Sequence, residues 1–211
     1  MRAMRWNRSN PGRRRRARRT VVSAAALRCA EQWNWPVLPG AGLDPQGSGA
    51  CVCRRGEECP FPGEHPLDPP LLAATADPRM VRWWWTARPD APLLVATGSR
   101  VAAVSLPRAA QRAGMMTLGR GPVVVTPSRV VWLMRPYSFE QLGELLSDFE
   151  WVPGTVRFHG EGGWVTLPPS RGGSGVVRWG RLPELDAQGM PELPDAVELM
   201  GDVVAGARRL V

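Results

Sequence analysis

The 22 prolines and 23 glycines scattered through this chain of 211 residues limit the length of anything it can build. Proline removes a backbone donor and clashes inside a helix, and glycine adds entropy to the unfolded chain. A long helical bundle or coiled coil is therefore excluded. Short elements joined by turns remain, and 44% hydrophobic residues suffice to pack them around a core.

Hydrophobic spacing places those elements. Thr20 to about Trp35 reads as a helix capped by Thr20, with Val22, Ala26, Leu27, Ala30 and Trp33 on one stripe and Pro36 ending it. Val37-Leu38 is a short strand. Residues 40–70 form a Gly/Pro/Cys loop of a length that is usually functional or metal-stapled. Asp77-Pro78 is an N-cap and first-turn proline for a helix through Trp85. Strand signals cover Leu93 to Thr97, Val101 to Leu106, Pro122 to Thr126, Val130 to Met134, Thr155 to Phe158, Trp164 to Leu167 and Val176 to Trp179. Ser138 and Gln141 form a capping box before a helix carrying Phe139, Leu142, Leu145, Leu146 and Phe149. Asp195 and Glu198 form a second capping box that opens a last helix, with Leu199, Val203 and Val204 inward and Arg208 and Arg209 at its end. Helices framing grouped strands imply an α+β fold with a mixed or antiparallel sheet.

Charge divides the chain in two. All 27 basic residues are Arg; nine fall within residues 1–19, which contain no acid, leaving 18 Arg against 19 acids in residues 20–211. The reading is a disordered Arg-rich tail over 1–19 and a single domain over 20–211. The tail either binds nucleic acid through counterion release or is a solvated segment that attracts any polyanion. The absence of Lys excludes lysyl nucleophiles, Schiff bases and P-loops. No run reaches the roughly 18 apolar residues of a membrane helix. Arg18-Arg19 and the stretch after it imitate an export signal, but Arg28 stops that stretch too soon. The expectation is a cytoplasmic protein with no membrane partner.

Cys51-Val-Cys53, Cys59 and His65 bring three thiols and an imidazole into fifteen residues. That is the donor set of a closed structural Zn2+ site, and a metal would replace the core this loop lacks. Uncoordinated thiols or one disulfide are the alternatives; a disulfide would leave the other donors idle. Cys29 reads as a small core residue. Trp83 to Trp85 read as packing, with one ring partly exposed, ahead of base stacking. The glycine clusters 160–163 and 172–175 read as hairpin turns.

Taken in order, these segments resemble the bifunctional DNA primase/polymerase N-terminal (Prim-Pol) family of the archaeo-eukaryotic primases, over about residues 24 to 180. The resemblance is carried by Ala26 through Pro39, by Cys51-Val-Cys53 with Cys59 and Pro62-Gly-Glu-His-Pro66, and by Ala73-Ala-Thr75 with Asp77-Pro78 and Trp83-Trp84. Leu94-Val-Ala-Thr-Gly98 and Gly160 through Ser170 complete it. The style is similar to short versions from high-GC actinobacteria. The resemblance implies an RRM-like sheet with flanking helices, joined to a small N-terminal α/β unit. It also implies nucleotide joining by two divalent metals, Mg2+ or Mn2+, held by acids.

Those acids are not found at the matching positions. Ser105 and Pro107 stand at the family's Asp-x-Asp, no His follows Thr126-Pro-Ser128, and Arg157 stands at the third Asp with His159 beside it. Glu64 replaces the Lys of the family's G-K-H-P. Independently, the 49 residues between Asp90 and Glu140 contain no acid and six Arg. The expectation is a primase/polymerase-like protein that has lost catalysis and binds nucleotide or single-stranded DNA or RNA. Its candidate ligand residues are Arg129, Arg157, His159, Glu161 and Ser170. A divergent active polymerase drawing acids from Glu161, Asp148 or Glu150 is one alternative. A zinc-stabilised protein-interaction module is another. Ser105 has no His near it in sequence, so a Ser105–His159 pair is the weaker reading. A replication role would need a helicase from another chain.

Overall fold

The computed structural model describes residues 21–209; the Arg-rich segment 1–19 and the expected Thr20 cap lie outside the described residues. Helix α1 covers residues 21–32, and its last turn widens to π geometry at Arg28–Gln32. Cys29 is buried beside Val22, Ala26, Ala30 and Trp33, on the face that 3.6-residue periodicity assigns it, while Leu27 of the expected stripe is only half-buried. The helix ends before Pro36 is reached. Asn34 adopts a left-handed φ of 51°, and the Trp35 amide donates back to the Cys29 carbonyl at 2.9 Å.

Ten strands follow in chain order: β1 (Val37–Pro39), β2 (Leu93–Ala96), β3 (Ala102–Pro107), β4 (Val123–Val125), β5 (Arg129–Met134), β6 (Arg157–His159), β7 (Trp164–Leu167), β8 (Arg171–Gly172), β9 (Gly175–Val176) and β10 (Arg178–Arg181). Between them lie helices α2 (Pro78–Ala87), α3 (Ala109–Arg112) and α4 (Phe139–Ser147), and α5 (Ala196–Arg208) closes the described chain. All sheet pairing is antiparallel. One sheet has the order β1-β2-β7, a second β10-β4-β5-β3-β6, and β8-β9 is a separate hairpin.

The five-stranded sheet is covered on both faces, which explains the nearly continuous apolar runs of β4 and β5. Ala102, Val104 and Leu106 with Val130, Trp132 and Met134 pack on Leu199, Met200, Val203 and Ala207 of α5 and on Leu145 of α4. Val101, Ala103, Val131 and Leu133 face the other way. They meet Leu93, Val95, Val165 and Leu167 of the three-stranded sheet, with α1 and α2 behind it. Successive strand residues alternate faces, so Ser105 shares the second face and points between the two sheets. The fold is thus α+β with antiparallel sheets, as expected from the sequence.

Two local signals are found as read: Asp77 Oδ1 accepts from the Arg79 amide ahead of α2 with Pro78 in its first turn, and Ser138 and Gln141 close a reciprocal capping box. A third is found in part: Asp195 Oδ1 accepts from the Val197 amide, so Asp195 caps α5 without the reciprocal bond from Glu198 that a capping box needs. Trp84 and Trp85 are buried while Trp83 is 63% exposed. Two details differ. Residues 176–179 are two elements, because β9 turns back on β8 before β10 joins β4. Gly160–Gly163 is not a hairpin turn: β6 pairs with β3 and β7 with β2, so it carries the chain from one sheet to the other. That crossing is tight. Thr97 Oγ1 donates to the Gly160 carbonyl at 2.6 Å, and a Cβ on Gly98 (φ 108°) would lie 2.5 Å from Glu161 Cα.

Ser170 fastens the opposite end of the β2–β7 ladder, where Leu93 pairs with Leu167. It has no exposed surface, and its Oγ accepts from the Leu93 amide at 2.7 Å. Ser170→Ala would leave that amide without its acceptor, so the variant is expected to lose about 1–3 kcal/mol of unfolding free energy in urea titrations. A midpoint equal to that of the wild type would contradict this role.

Candidate functional site

The β3–β5 and β3–β6 registers build the site. Ser105 pairs with Val131 on one side and with Arg157 on the other, while Pro107 pairs with Arg129. A one-residue slip in either pairing would turn these side chains to the opposite face. In the observed register Arg129 Nε donates to Ser105 Oγ at 2.8 Å, and its Nη2 donates to the Ser105 and Thr155 carbonyls, each at 2.7 Å. Ser105 Oγ lies 2.9 Å from His159 Nε2. The Ser105–His159 pair, the weaker reading from sequence, is therefore formed. Ser105 is fully buried, however, and its hydroxyl is held between two partners, so it is not presented as a nucleophile.

These groups open into a cavity of about 470 Å3 lined also by Phe61, Glu64, Thr126, Ser128 and Trp164. Its charge is unbalanced. Among the described residues neither Arg129 nor Arg157 forms an ion pair; the ion pairs present are Arg82–Glu31 and Arg88–Asp68. The Arg157 guanidinium stands 6.0 Å from the centre of the Phe61 ring, a cation–π contact. Burial, then repulsion from Arg157, pulls the Arg129 guanidinium down to about 10. Burial, then Arg129 and Arg157, pulls the His159 imidazole down to about 4, against a hydrogen bond with the Trp164 backbone. His159 is neutral at pH 7 for that reason. Burial pushes the Glu64 carboxyl up to about 7.

The cysteine loop supplies the wall beside this cavity. Cys51, Cys53, Cys59 and His65 present ligand atoms that all lie within 4.8 Å of one another. His65 Nδ1 is 2.8 Å from the Pro66 carbonyl, which directs the Nε2 lone pair inward to a point 3.3 Å from Cys51 Sγ. The Gly63 amide donates to Cys51 Sγ at 3.3 Å, and the Arg55 amide is the main cause holding the Cys53 thiol down at about 6. Donor chemistry, convergence and a fixed imidazole tautomer fit a metal ion such as zinc. Cys29 is apart from this cluster. Its thiol is buried, and desolvation raises it to about 12, consistent with a core residue.

Of the ligand residues read from sequence, Arg129, Arg157 and His159 line the cavity together. Glu161 is exposed on the turn against Gly98, and Ser170 is internal; neither lines it. The sequence did not reveal Phe61, or that Glu64, noted there only as a departure from the family motif, lines this cavity. The available signal was their position between Cys59 and His65, since closing that loop fixes both.

A family model for the bifunctional DNA primase/polymerase, N-terminal, matches residues 26–196, and the chain belongs to this Prim-Pol family. No curated protein and no solved structure gives a significant match. Among the described residues no helix is long and apolar enough to cross a membrane.

The His159 environment has a consequence for stability. Its folded pKa lies below the unfolded value of about 6.5, so the unfolded chain binds the extra proton between those values. Stability from this group is complete above about pH 6.5 and is lost as pH falls toward 4, at up to about 1.4 kcal/mol per pH unit. Unfolding free energies at pH 7 and pH 5 are expected to differ more in the wild type than in His159→Asn. Equal differences would show that His159 does not titrate between the two states.

Proposed function

We propose that this protein is a Prim-Pol-family member that no longer transfers nucleotides and instead binds phosphate groups of a nucleotide or of single-stranded nucleic acid. The observation that carries the reading is the pair Arg129 and Arg157 in one cavity with no ion-pairing carboxylate among the described residues. Arg129 is partly buried without a carboxylate, which is costly, and exposed Arg157 stands beside it; a phosphate relieves that cost through short charge-assisted hydrogen bonds. Donors remain for it. Among the described residues no group accepts from Arg129 Nη1, and Arg157 donates no hydrogen bond.

The same charge opposes two-metal catalysis. Ser105 stands at a position where the family resemblance calls for an acid, and it is committed to Arg129 and His159. Glu64 is the one carboxylate lining the cavity, and its elevated pKa weakens it as a cation ligand. Two guanidiniums beside it repel divalent ions. Zn2+ is the metal the Cys51, Cys53, Cys59 and His65 donors suit best, in a structural role.

The test is binding of deoxyadenosine monophosphate (dAMP) and of a short oligothymidylate to the full chain without Mg2+ or Mn2+. One zinc per chain is confirmed by elemental analysis. Arg157→Gln is expected to weaken both ligands by about tenfold or more. The Arg-rich residues 1–19 are unchanged in that variant, so equal affinity would assign binding to the tail and remove the cavity from the account.

A further inference from the structure

The loop that carries the metal donors is also a wall of the anion cavity. Phe61 and Glu64 sit between Cys59 and His65, and both line the cavity. The contacts that place them are specific. The Arg157 guanidinium rests over the Phe61 ring, Trp164 Nε1 donates to the Glu64 carbonyl at 2.9 Å, and the Gly173 amide donates to the Pro62 carbonyl at 2.9 Å. Gly172 packs directly on the Glu64 side chain, where a Cβ would overlap the carboxylate.

Backbone hydrogen bonds such as those from the Ala41 amide to the His65 carbonyl and from the Gly42 amide to the Gly63 carbonyl also tie the loop, but it buries little apolar side chain. Between residues 41 and 70 the buried hydrophobic side chains are Cys51 and Cys59, both metal donors, while Val52, Phe61 and Leu67 are exposed. Bringing those donors together therefore adds to the order of the loop. Phe61 in turn is the described side chain against which the Arg157 guanidinium rests.

We propose that metal binding at Cys51, Cys53, Cys59 and His65 and anion binding at Arg129 and Arg157 are coupled, with Phe61 as the positioning residue that joins them. The closed loop holds Phe61 under Arg157, which fixes the guanidinium toward the cavity before a ligand arrives. Less side-chain freedom is then lost on binding. Coupling of this kind is reciprocal: whatever factor the metal adds to anion affinity, the anion adds to metal affinity. This proposal rests on the anion-binding reading of the cavity, yet it can fail while that reading stands.

The experiment measures dAMP affinity by equilibrium dialysis on the full chain, zinc-loaded and zinc-stripped, with the fold of each form checked by circular dichroism. Zinc loss to a colorimetric chelator is followed in parallel at increasing dAMP. The stripped form is expected to bind dAMP about tenfold more weakly, within the usual range for coupled sites, and dAMP is expected to retard zinc loss. Phe61→Ala, kept zinc-loaded, is expected to bind dAMP several-fold more weakly and to abolish the effect of dAMP on zinc loss. That variant decides the matter if the stripped chain unfolds. Equal dAMP affinity in the loaded and stripped forms, or in Phe61→Ala and wild type, overturns the coupling and leaves the anion site. Absence of dAMP binding to the loaded wild type overturns the anion site itself.

Discussion

Strand β3 lies between β5 and β6, and the register of those two ladders is the constraint on which the site depends. It places Ser105 across from Arg157 and within reach of Arg129 and His159, four side chains drawn from three strands. The same register sends Ala102, Val104 and Leu106 into the core under α5, and Val101 and Ala103 into the core between the sheets. A slip by one residue would bury Arg129 among aliphatic side chains. The apolar packing on both faces therefore fixes the polar network, and the network adds no competing register.

Much of the architecture could be read from local chemistry. The caps at Asp77, Ser138 and Asp195 depend on residues within three positions of one another, so sequence is enough to find them. Strands β3, β4 and β5 of the five-stranded sheet were legible because burial on both faces makes them short, mostly apolar runs. What failed depended on backbone geometry or distant pairing. The π turn at the end of α1 is one such feature, and nothing in the periodicity signals it. The Gly160–Gly163 turn looked like a hairpin because glycine content reports a turn, not which sheet the next strand joins.

The site divides in the same way. The four metal donors lie within fifteen residues, and their convergence was readable from spacing and donor type. Ser105 and His159 are 54 residues apart, and only the ladder register brings them together. Phe61 carries no titratable or ligating group and was passed over, and Glu64 was noted only as a departure from the family motif. Their importance comes from loop closure, a tertiary effect. The acid-free stretch from Ala91 to Phe139 was the most informative single feature of the sequence. Of its Arg residues, Arg129 lines the cavity, together with Arg157 from β6 and one carboxylate with a raised pKa from the loop.

Electrostatics then separates the two things a Prim-Pol site can do. Carboxylates attract divalent metal and allow phosphoryl transfer; guanidiniums attract phosphate and repel the metal. The most direct test is template-dependent nucleotide incorporation by the zinc-loaded full chain, with Mg2+ and Mn2+ supplied separately, on primed and unprimed templates. Protein that binds dAMP is expected to give no incorporation with either ion. Incorporation that survives repurification and disappears in Glu64→Gln or Glu161→Gln would contradict the account and make this chain a working polymerase.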